Sequence, residues 1–344
     1  MRILLTADPE LPVPPGLYGG VQRLVAQWLE ELRRRGHTVA LAAHAESTAA
    51  CDRLFPWPGA NSQRPRHTLR NACALFRAAR AFSPDVVHSS SRLLYTWPLL
   101  IARIPVVMTY HRLPGTRQIK VARRLGRRII FTGVSEFITR SGRRGGGEWR
   151  TVFNCVDTRR LTFQPEVPAD APLVFLSRIE ADKGAHLAIQ MALRAGHPLI
   201  LAGNHSADAN AARYWKDQIE PRIDNHMIRY VGPVDDRQKN ALLGSARALL
   251  VPTQCEEAFG LVFAEALACG TPAIGSRHGA VPEVIEPGKT GWLASDIEEG
   301  VAAIARLSTL SRRACREAAE QRFSLDRTVS DYEVIYRELA PRAS

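Results

Sequence analysis

The chain has 344 residues, 45% of them hydrophobic and 7% aromatic, an ordinary globular composition with length for about two domains. Lys and Arg number 46 against 34 Asp and Glu, so the net charge is +12 and an anionic partner is the first expectation. The six cysteines, Cys51, Cys73, Cys155, Cys255, Cys269 and Cys315, form no CxxC pair and no disulfide framework, which points to reduced thiols in a cytoplasm.

The amino-terminal MRILLTADPELP has only Ile3 to Leu5 as a strongly apolar run, too short for a signal peptide. The stretch from Leu93 to Tyr110 is broken by Pro98, Arg103 and Pro105, whereas a membrane-spanning helix needs ~20 nearly uncharged residues. A first strand is read at Arg2 to Thr6, followed by a loop ending in Gly19 and Gly20. Val21, Leu24, Val25, Trp28, Leu29 and Leu32 then recur at helical spacing until Gly36, and His37 to Ala43 forms the next strand. Further strands are expected at Asp85 to His88, Pro105 to Tyr110, Ile129 to Val134 and Thr151 to Phe153.

Leu161 to Pro172 carries Pro165, Pro168 and Pro172 with little periodicity and reads as a linker. The alternation restarts at Leu173 to Leu176 and continues with strands at Leu199 to Ala202, Ile228 to Val231, Ala248 to Val251 and Pro272 to Gly275. Helices start near Lys183, Ala209, Asp235 and Gly260. The expected fold is therefore α/β, with two Rossmann-like, doubly wound domains facing across a cleft: residues 1–166, residues 167–322, and a C-terminal helix in 323–344 returning to the first domain. In such sheets ligands sit beyond the carboxyl ends of the strands.

The charge divides unevenly. Residues 1–165 hold 26 Lys and Arg against 10 Asp and Glu, a net of +16, and the remainder carries −4. Within the first part, Arg117, Lys120, Arg123, Arg124, Arg127 and Arg128 recur at spacings of one, three and four. A helix there would show a cationic stripe beside Val121, Leu125 and Ile129. Such a face suits an anionic membrane surface, an anionic soluble acceptor, or plain solvation.

The most informative segment is EEAFGLVFAEALACGTPAIGSRHGAVPEVI, residues 256–285. A helix starting near Gly260 would aim the amides of Gly260, Leu261 and Val262 at phosphate or hydroxyl oxygens. Glu257 precedes it and Glu265 lies eight residues on, ~12 Å along a helix, a span that fits the sugar, diphosphate and ribose of a nucleotide sugar. Two glutamates at this spacing are equally what the macrodipole and solvation produce, so the surrounding text must decide. In LSRIEADKGAHLAI, Arg178 and Lys183 follow a strand and precede Gly184, a basic pair that taken alone reads as a solvated surface loop.

Together these segments resemble the signature of the retaining glycosyltransferases of family 4, which have the GT-B fold. The resemblance implies a donor-binding set of Gly19, Gly20, Arg178, Lys183, Gly203, Pro233, Val234, Glu257, Phe259, Gly260, Leu261 and Glu265. It gives catalytic roles to His111, at the end of PVVMTYH, and to Glu257, Arg178 and Lys183. In that reading Glu257 holds sugar hydroxyls, Glu265 the ribose, His111 the far side of the sugar, and backbone near Pro233 and Val234 the base. Cys155 and Ser177 stand where the family usually has Gly, which affects loop geometry more than chemistry.

The expected reaction is retaining, metal-independent transfer of a hexose from a nucleoside diphosphate sugar, with UDP as the working choice, to a sugar or glycoconjugate acceptor. The chain has no D-x-D sequence, so no metal site and no other cofactor are expected, and Glu283 occupies the first Gly position that a P-loop would need. The alternatives are an epimerase or phosphorylase of the same fold, and a basic nucleic-acid-binding protein. The last lacks any recognition motif and has an acidic second half, so no nucleic acid is expected. The expected setting is cytoplasmic, with peripheral contact to the inner membrane face through the basic domain left open.

Overall fold

The computed structural model describes residues 1–16, 19–126, 128–205 and 208–340. The chain divides into two compact units, one of Met1–Asn154 with the segment from Leu325 on, the other Cys155–Ser324. The division falls ahead of the boundary at 166 read from the prolines. Hydrogen bonds explain its place: Arg316 Nη1 donates to Leu161 O at 2.8 Å and Gln164 N to Cys269 O at 3.0 Å, tying residues 155–166 to the second unit.

In the first unit the elements run β1 (Arg2–Thr6), α1 (Gly20–Arg34), β2 (Thr38–Ala43), β3 (Arg53–Pro56), α2 (Pro65–Phe82), β4 (Val86–Ser89), α3 (Trp97–Ile101), β5 (Val106–Tyr110), α4 (Thr116–Leu125), β6 (Ile129–Gly133), α5 (Glu136–Arg143) and β7 (Trp149–Thr151). The second unit has β8 (Leu173–Leu176), α6 (Ala185–Arg194), β9 (Leu199–Ala202), α7 (Ala209–Tyr214), β10 (Ile228–Tyr230), α8 (Asp236–Ser245), β11 (Ala248–Val251), α9 (Leu261–Ala268), β12 (Ala273–Gly275), α10 (Val281–Val284), β13 (Gly291–Leu293), α11 (Ile297–Ala305) and α12 (Arg312–Phe323). A last helix, α13 (Leu325–Leu339), belongs with the first unit.

Both sheets are parallel throughout, ordered β3-β2-β1-β4-β5-β6-β7 and β10-β9-β8-β11-β12-β13. The order reverses at β1/β4 and at β8/β11, the switch points where doubly wound sheets open a crevice. Burial on both faces fits the unbroken apolar runs of β5 and β11, all of whose residues are buried. The two strands absent from the sequence reading, β3 and β13, are short edge strands whose residues are partly exposed, so no apolar run marks them. The last strand of the first sheet lies at Trp149–Thr151 rather than Thr151 to Phe153. Trp149 stacks on Phe131 with centroids 5.1 Å apart, and that anchor sets the register.

Local chemistry explains the helices. α1 buries Leu24, Val25, Trp28, Leu29 and Leu32 along one face, and Arg33 and Arg34 in its last turn complement the dipole. α8 opens with a capping box: Asp235 Oδ1 accepts from Gln238 N at 2.8 Å, and Gln238 Oε1 accepts from Asp235 N at 3.0 Å.

Two polar clusters tie α13 to the first sheet. His88 on β4 is fully buried, with Nδ1 2.6 Å from the Tyr336 hydroxyl and Nε2 2.7 Å from Thr109 Oγ1, and its ring stacks on Trp28. Nearer the surface, Glu31 is 1% exposed and receives Arg34 at 2.5 Å and Arg35 at 3.0 Å. Arg35 in turn donates to Ser330 at 2.9 Å, Glu333 at 2.9 Å and Asp326 at 2.7 Å. The Arg34 guanidinium, helped by Arg35, holds the Glu31 carboxyl down to about 2 against the opposing effect of burial.

Removing Arg35 leaves Glu31 and Glu333 underpaired. Arg35→Ala is therefore expected to lower unfolding free energy in urea by about 3 kcal/mol, and a loss below about 0.5 kcal/mol would show that the cluster is ornamental. Acidification tests His88. Burial holds the ring at about 3, well under the 6.5 of an unfolded histidine, so the unfolded chain takes up the extra proton and stability is lost as pH falls through that window. His111, also held at about 3 by burial, adds a loss of the same sign. The melting temperature is expected to drop between about pH 7 and pH 5, with a shallower slope in His88→Asn; identical slopes would remove His88 as a cause.

Candidate functional site

The densest group of candidate residues lies in the second unit, at the carboxyl edge of its sheet beside the β8/β11 switch point. The two strands feed loops that are stitched together. Gly184 adopts φ +77°, and a Cβ there would run into the Pro252 carbonyl, so only glycine lets the β8 loop close on the β11 loop. Gln254 N donates to Asp182 O at 2.6 Å and Thr253 Oγ1 to the same oxygen at 3.1 Å. This seam delivers Lys183, in a short 3₁₀ turn at Ala181–Lys183, to the loop carrying Glu257.

Lys183 Nζ forms an ion pair with Glu257 and also lies 3.2 Å from Cys255 Sγ. Lys183 is buried and Glu257 partly so. Burial pulls the ammonium down, but Glu257 and Cys255 more than offset it, so the Lys183 pKa stays above the ordinary lysine value. From the other side, Ala280 N donates to Glu257 O at 2.8 Å, and Gly279, at φ +61°, sits so tightly against Glu257 that a Cβ would strike its backbone. Glu257 is thus held at its carboxylate by Lys183 and at its backbone by the Gly279–Ala280 turn. Arg178, also in the β8 loop, pairs with Glu180 and is about one-third exposed.

α9 begins immediately after this loop. Gly260 is its N-cap at φ +81°, no side chain caps the helix end, and Leu261 opens it. One turn and more along, Glu265 accepts from Lys239 of α8 at 2.5 Å, and Lys239 also reaches Asp236 at 3.2 Å. Burial opposes the Lys239 charge, and these two carboxylates hold its pKa above the usual value. Both glutamates of the E-x₇-E pattern are therefore salt-bridged to a lysine from a different element. Phe259 is buried with its ring edge-on to Phe323 at 5.4 Å, so any part it plays in binding goes through its backbone.

Gly203, after β9 and at φ +137°, lies against the Ser177 carbonyl so closely that a Cβ has no room, and its amide donates to Gly232 O at 2.9 Å. Tyr230 donates its hydroxyl to Gly203 O at 2.8 Å. These contacts draw the β8, β9 and β10 loops together, with Pro233 exposed and Val234 half-buried just beyond Gly232. Gly203, Arg178, Lys183, Glu257, Gly260, Leu261 and the Pro233–Val234 turn thus all lie on carboxyl-edge loops or helix starts of one sheet.

The remaining candidates are in the first unit. His111, directly after β5, has Nε2 3.3 Å from Ser90 Oγ and stacks on Trp28 with centroids 5.9 Å apart. Burial, with Arg112 adjacent, lowers its pKa to about 3, so the ring is neutral at physiological pH. Gly19, at φ +140°, caps α1, and Gly20 is its first residue. The cationic stripe is shorter than expected. Arg117, Lys120, Arg123 and Arg124 are exposed on α4, but the helix stops at Gly126, where a Cβ would meet Leu100 O at 2.7 Å. Arg128 lies beyond it and donates to Leu339 O at 2.6 Å, Ile129 is a buried residue of β6, and Arg127 falls outside the described residues.

Sequence reasoning missed three contributors. Lys239 reaches the site only through tertiary folding, so no local spacing marks it, and Cys255, two residues before Glu257, meets Lys183 only once the two loops close. Gly279 lay inside the informative segment, and its positive φ against Glu257 is the signal that explains it. Among the described residues, no group of three or more His, Cys, Asp or Glu side chains is placed to hold a metal ion, and no helix is long and apolar enough to cross a membrane.

Comparison with known proteins identifies the family. Residues 18–160 match the family model described as Glycosyltransferase Family 4, and residues 159–322 match that of Glycosyl transferases group 1. The chain is 27% identical to a glycogen synthase of Mycobacterium tuberculosis, over 95% of this chain and 91% of that protein. It is 26% identical to a phosphatidyl-myo-inositol mannosyltransferase of the same species, over 99% and 97%. Among solved structures, HepE of Anabaena in complex with UDP-glucose superposes with a TM-score of 0.76 at 17% identity, covering 98% of this chain and 100% of that one. With two parallel doubly wound sheets and a matching family model on each half, this chain belongs to the family 4 glycosyltransferases of GT-B fold and is a hexosyltransferase.

Proposed function

We propose that the enzyme moves a hexosyl group from a nucleoside diphosphate sugar, with UDP as the nucleotide, to a sugar or glycoconjugate acceptor with retention of configuration and without a metal ion. The observation that carries this reading is the pair of lysine-bound glutamates, Glu257 with Lys183 and Glu265 with Lys239, flanking the open amino terminus of α9. The helix amides and Lys183, with Arg178 nearby, supply positive potential where a diphosphate would lie, and that potential gains value as charge builds on the departing phosphate. Glu257 accepts hydrogen bonds from sugar hydroxyls, and Glu265 does the same for the ribose. The Pro233–Val234 turn and Gly203 offer backbone to the base. UDP is favoured because HepE holds UDP-glucose.

Transfer passes through an oxocarbenium-like state, so the enzyme's task is to orient the sugar and stabilise the leaving group. His111, neutral at physiological pH, serves as a hydrogen-bonding and shape-defining group on the sugar rather than as a cation. The leaving phosphate accepts the acceptor's proton, so no separate protein base is required. On the acceptor side, α4 presents Arg117, Lys120, Arg123 and Arg124 beside Val121, and Ile101 and Leu113 are more than half exposed nearby in sequence. This combination favours an anionic bilayer surface as the place where the acceptor is met.

Two outcomes test these readings. In a thermal-shift panel of UDP, GDP, ADP and dTDP sugars, the UDP sugar is expected to raise the melting temperature most. With the donor so identified, Glu257→Ala should lower kcat/KM by about 10²–10³-fold in protein that is still folded at the assay temperature; unchanged turnover would refute the role given to Glu257. For the basic face, the protein is expected to sediment with anionic liposomes at low salt and to be released at about 0.5 M salt. No sedimentation at low salt removes the membrane reading and leaves the transfer chemistry intact.

A further inference from the structure

At the opposite edge of the second sheet, away from Glu257, the chain forms a pocket of about 580 Å³ that the donor reading does not use. Arg247 immediately precedes β11 and Pro272 immediately precedes β12, so the pocket opens at the amino ends of strands whose carboxyl ends carry the donor loops. β11 alone separates the two edges by four residues, ~13 Å of extended chain. The volume is that of a small-molecule site.

Its charge is unbalanced. Arg247, Arg312 and Arg313 line it against one carboxylate, Glu166, with Ser308 and Ser311 adding hydroxyls. Arg312 is half-buried and held by neutral acceptors: Gln164 O at 2.7 Å, Ala246 O at 2.9 Å, Gly244 O at 2.8 Å and Thr271 Oγ1 at 2.9 Å. Among the described residues no carboxylate pairs with it, and burial together with Arg247 pulls its pKa down. Among the described residues the Arg247 guanidinium, also half-buried, has no hydrogen-bond or ion-pair partner, and Arg313 approaches only Glu317, at 4.0 Å.

The helix that begins here is wired against its own dipole. α12 starts at Arg312 and Arg313 and has no acidic residue in its first turn, so two cations stand at the end that prefers anions. A fold that holds one half-buried guanidinium without a counter-ion, leaves a second unpaired and puts two at a helix amino terminus lacks a negative charge at this spot. Apolar surface from Phe163 and Leu310 completes the wall and would cover an organic body attached to that charge.

We propose that this pocket binds a phosphate-bearing small molecule, distinct from the sugar donor, with its phosphate on Arg247 and Arg313 in the field of Arg312 and its body on Phe163 and Leu310. The bonds to phosphate are charge-assisted, and arginine suits them by its planar fork of donors. Arg312 contributes charge and rigidity, since four of its five N–H donors are taken by Gln164, Ala246, Gly244 and Thr271.

Isothermal titration at low salt with inorganic phosphate and with phenyl phosphate tests this. Both should bind saturably, phenyl phosphate more tightly, and the Arg247→Gln/Arg313→Gln variant should weaken both by about tenfold or more. Glu166→Gln, an exposed change that removes the one opposing charge, should instead tighten them by about two- to fivefold. Lys183→Met should leave both titrations unchanged. The proposal is overturned by the absence of saturable binding up to about 10 mM, by equal binding in the double arginine variant, or by loss of binding in Lys183→Met, which would place the phosphate in the donor site.

Discussion

A lysine kept charged out of water is the constraint on which the second unit turns. Lys183 is buried, and a bare ammonium there would cost several kcal/mol or give up its proton. Glu257 supplies the counter-charge, and the backbone is shaped to bring the two together: glycine at 184 lets the β8 loop touch Pro252, and glycine at 279 lets a neighbouring turn close on Glu257. Either glycine replaced by a larger residue would push the loops apart. The site is thus preorganised by close backbone packing, and its polarity is already in place before a ligand arrives.

The same logic repeats eight residues on, where Glu265 is held by Lys239 from α8, itself started by the Asp235 capping box. Each glutamate is fixed by a lysine carried on a different βα unit. The two carboxylates are therefore oriented, and the two lysines partly neutralised, by contacts within the protein itself. In the first unit the buried polar chemistry does other work. His88, Tyr336, Thr109 and Thr132 form a hydrogen-bonded line from α13 through β4, β5 and β6, with the two threonine hydroxyls 2.6 Å apart. That line holds the last helix of the chain on the first sheet.

Much of this was legible in the sequence because parallel strands are buried on both faces and read as continuous apolar runs. β1, β8, β9 and β11 match the expected bounds residue for residue. The edge strands β3 and β13 were not, since partly exposed short strands carry no such run. The register of β7 depended on Trp149 seating against Phe131, a contact between residues far apart in sequence. The basic stripe was over-read for a related reason: its periodicity continues through Arg128, but Gly126 packs on Leu100 and ends the helix.

At the site, spacing pointed to Glu257, Glu265, Arg178 and Lys183, while the pairing of each glutamate with its lysine was invisible. Nothing local links Lys183 to a glutamate 74 positions away, or Lys239 to one 26 away. The charge count likewise changed meaning once placed in the fold. The surplus sits on the first unit, and in the second unit Lys183 and Lys239 are matched by Glu257 and Glu265, while the half-buried Arg312 at the far edge of the sheet pairs with no carboxylate among the described residues.

The central claim is that Lys183 and Glu257 bind the donor as one unit. Titrating UDP-glucose into wild type, Lys183→Met, Glu257→Gln and the double variant by calorimetry measures this directly. Each single change should weaken binding by about tenfold or more, and the double variant should fall short of the sum of the two losses by about 1–3 kcal/mol. Wild-type affinity in either single variant, or strictly additive losses, would contradict it.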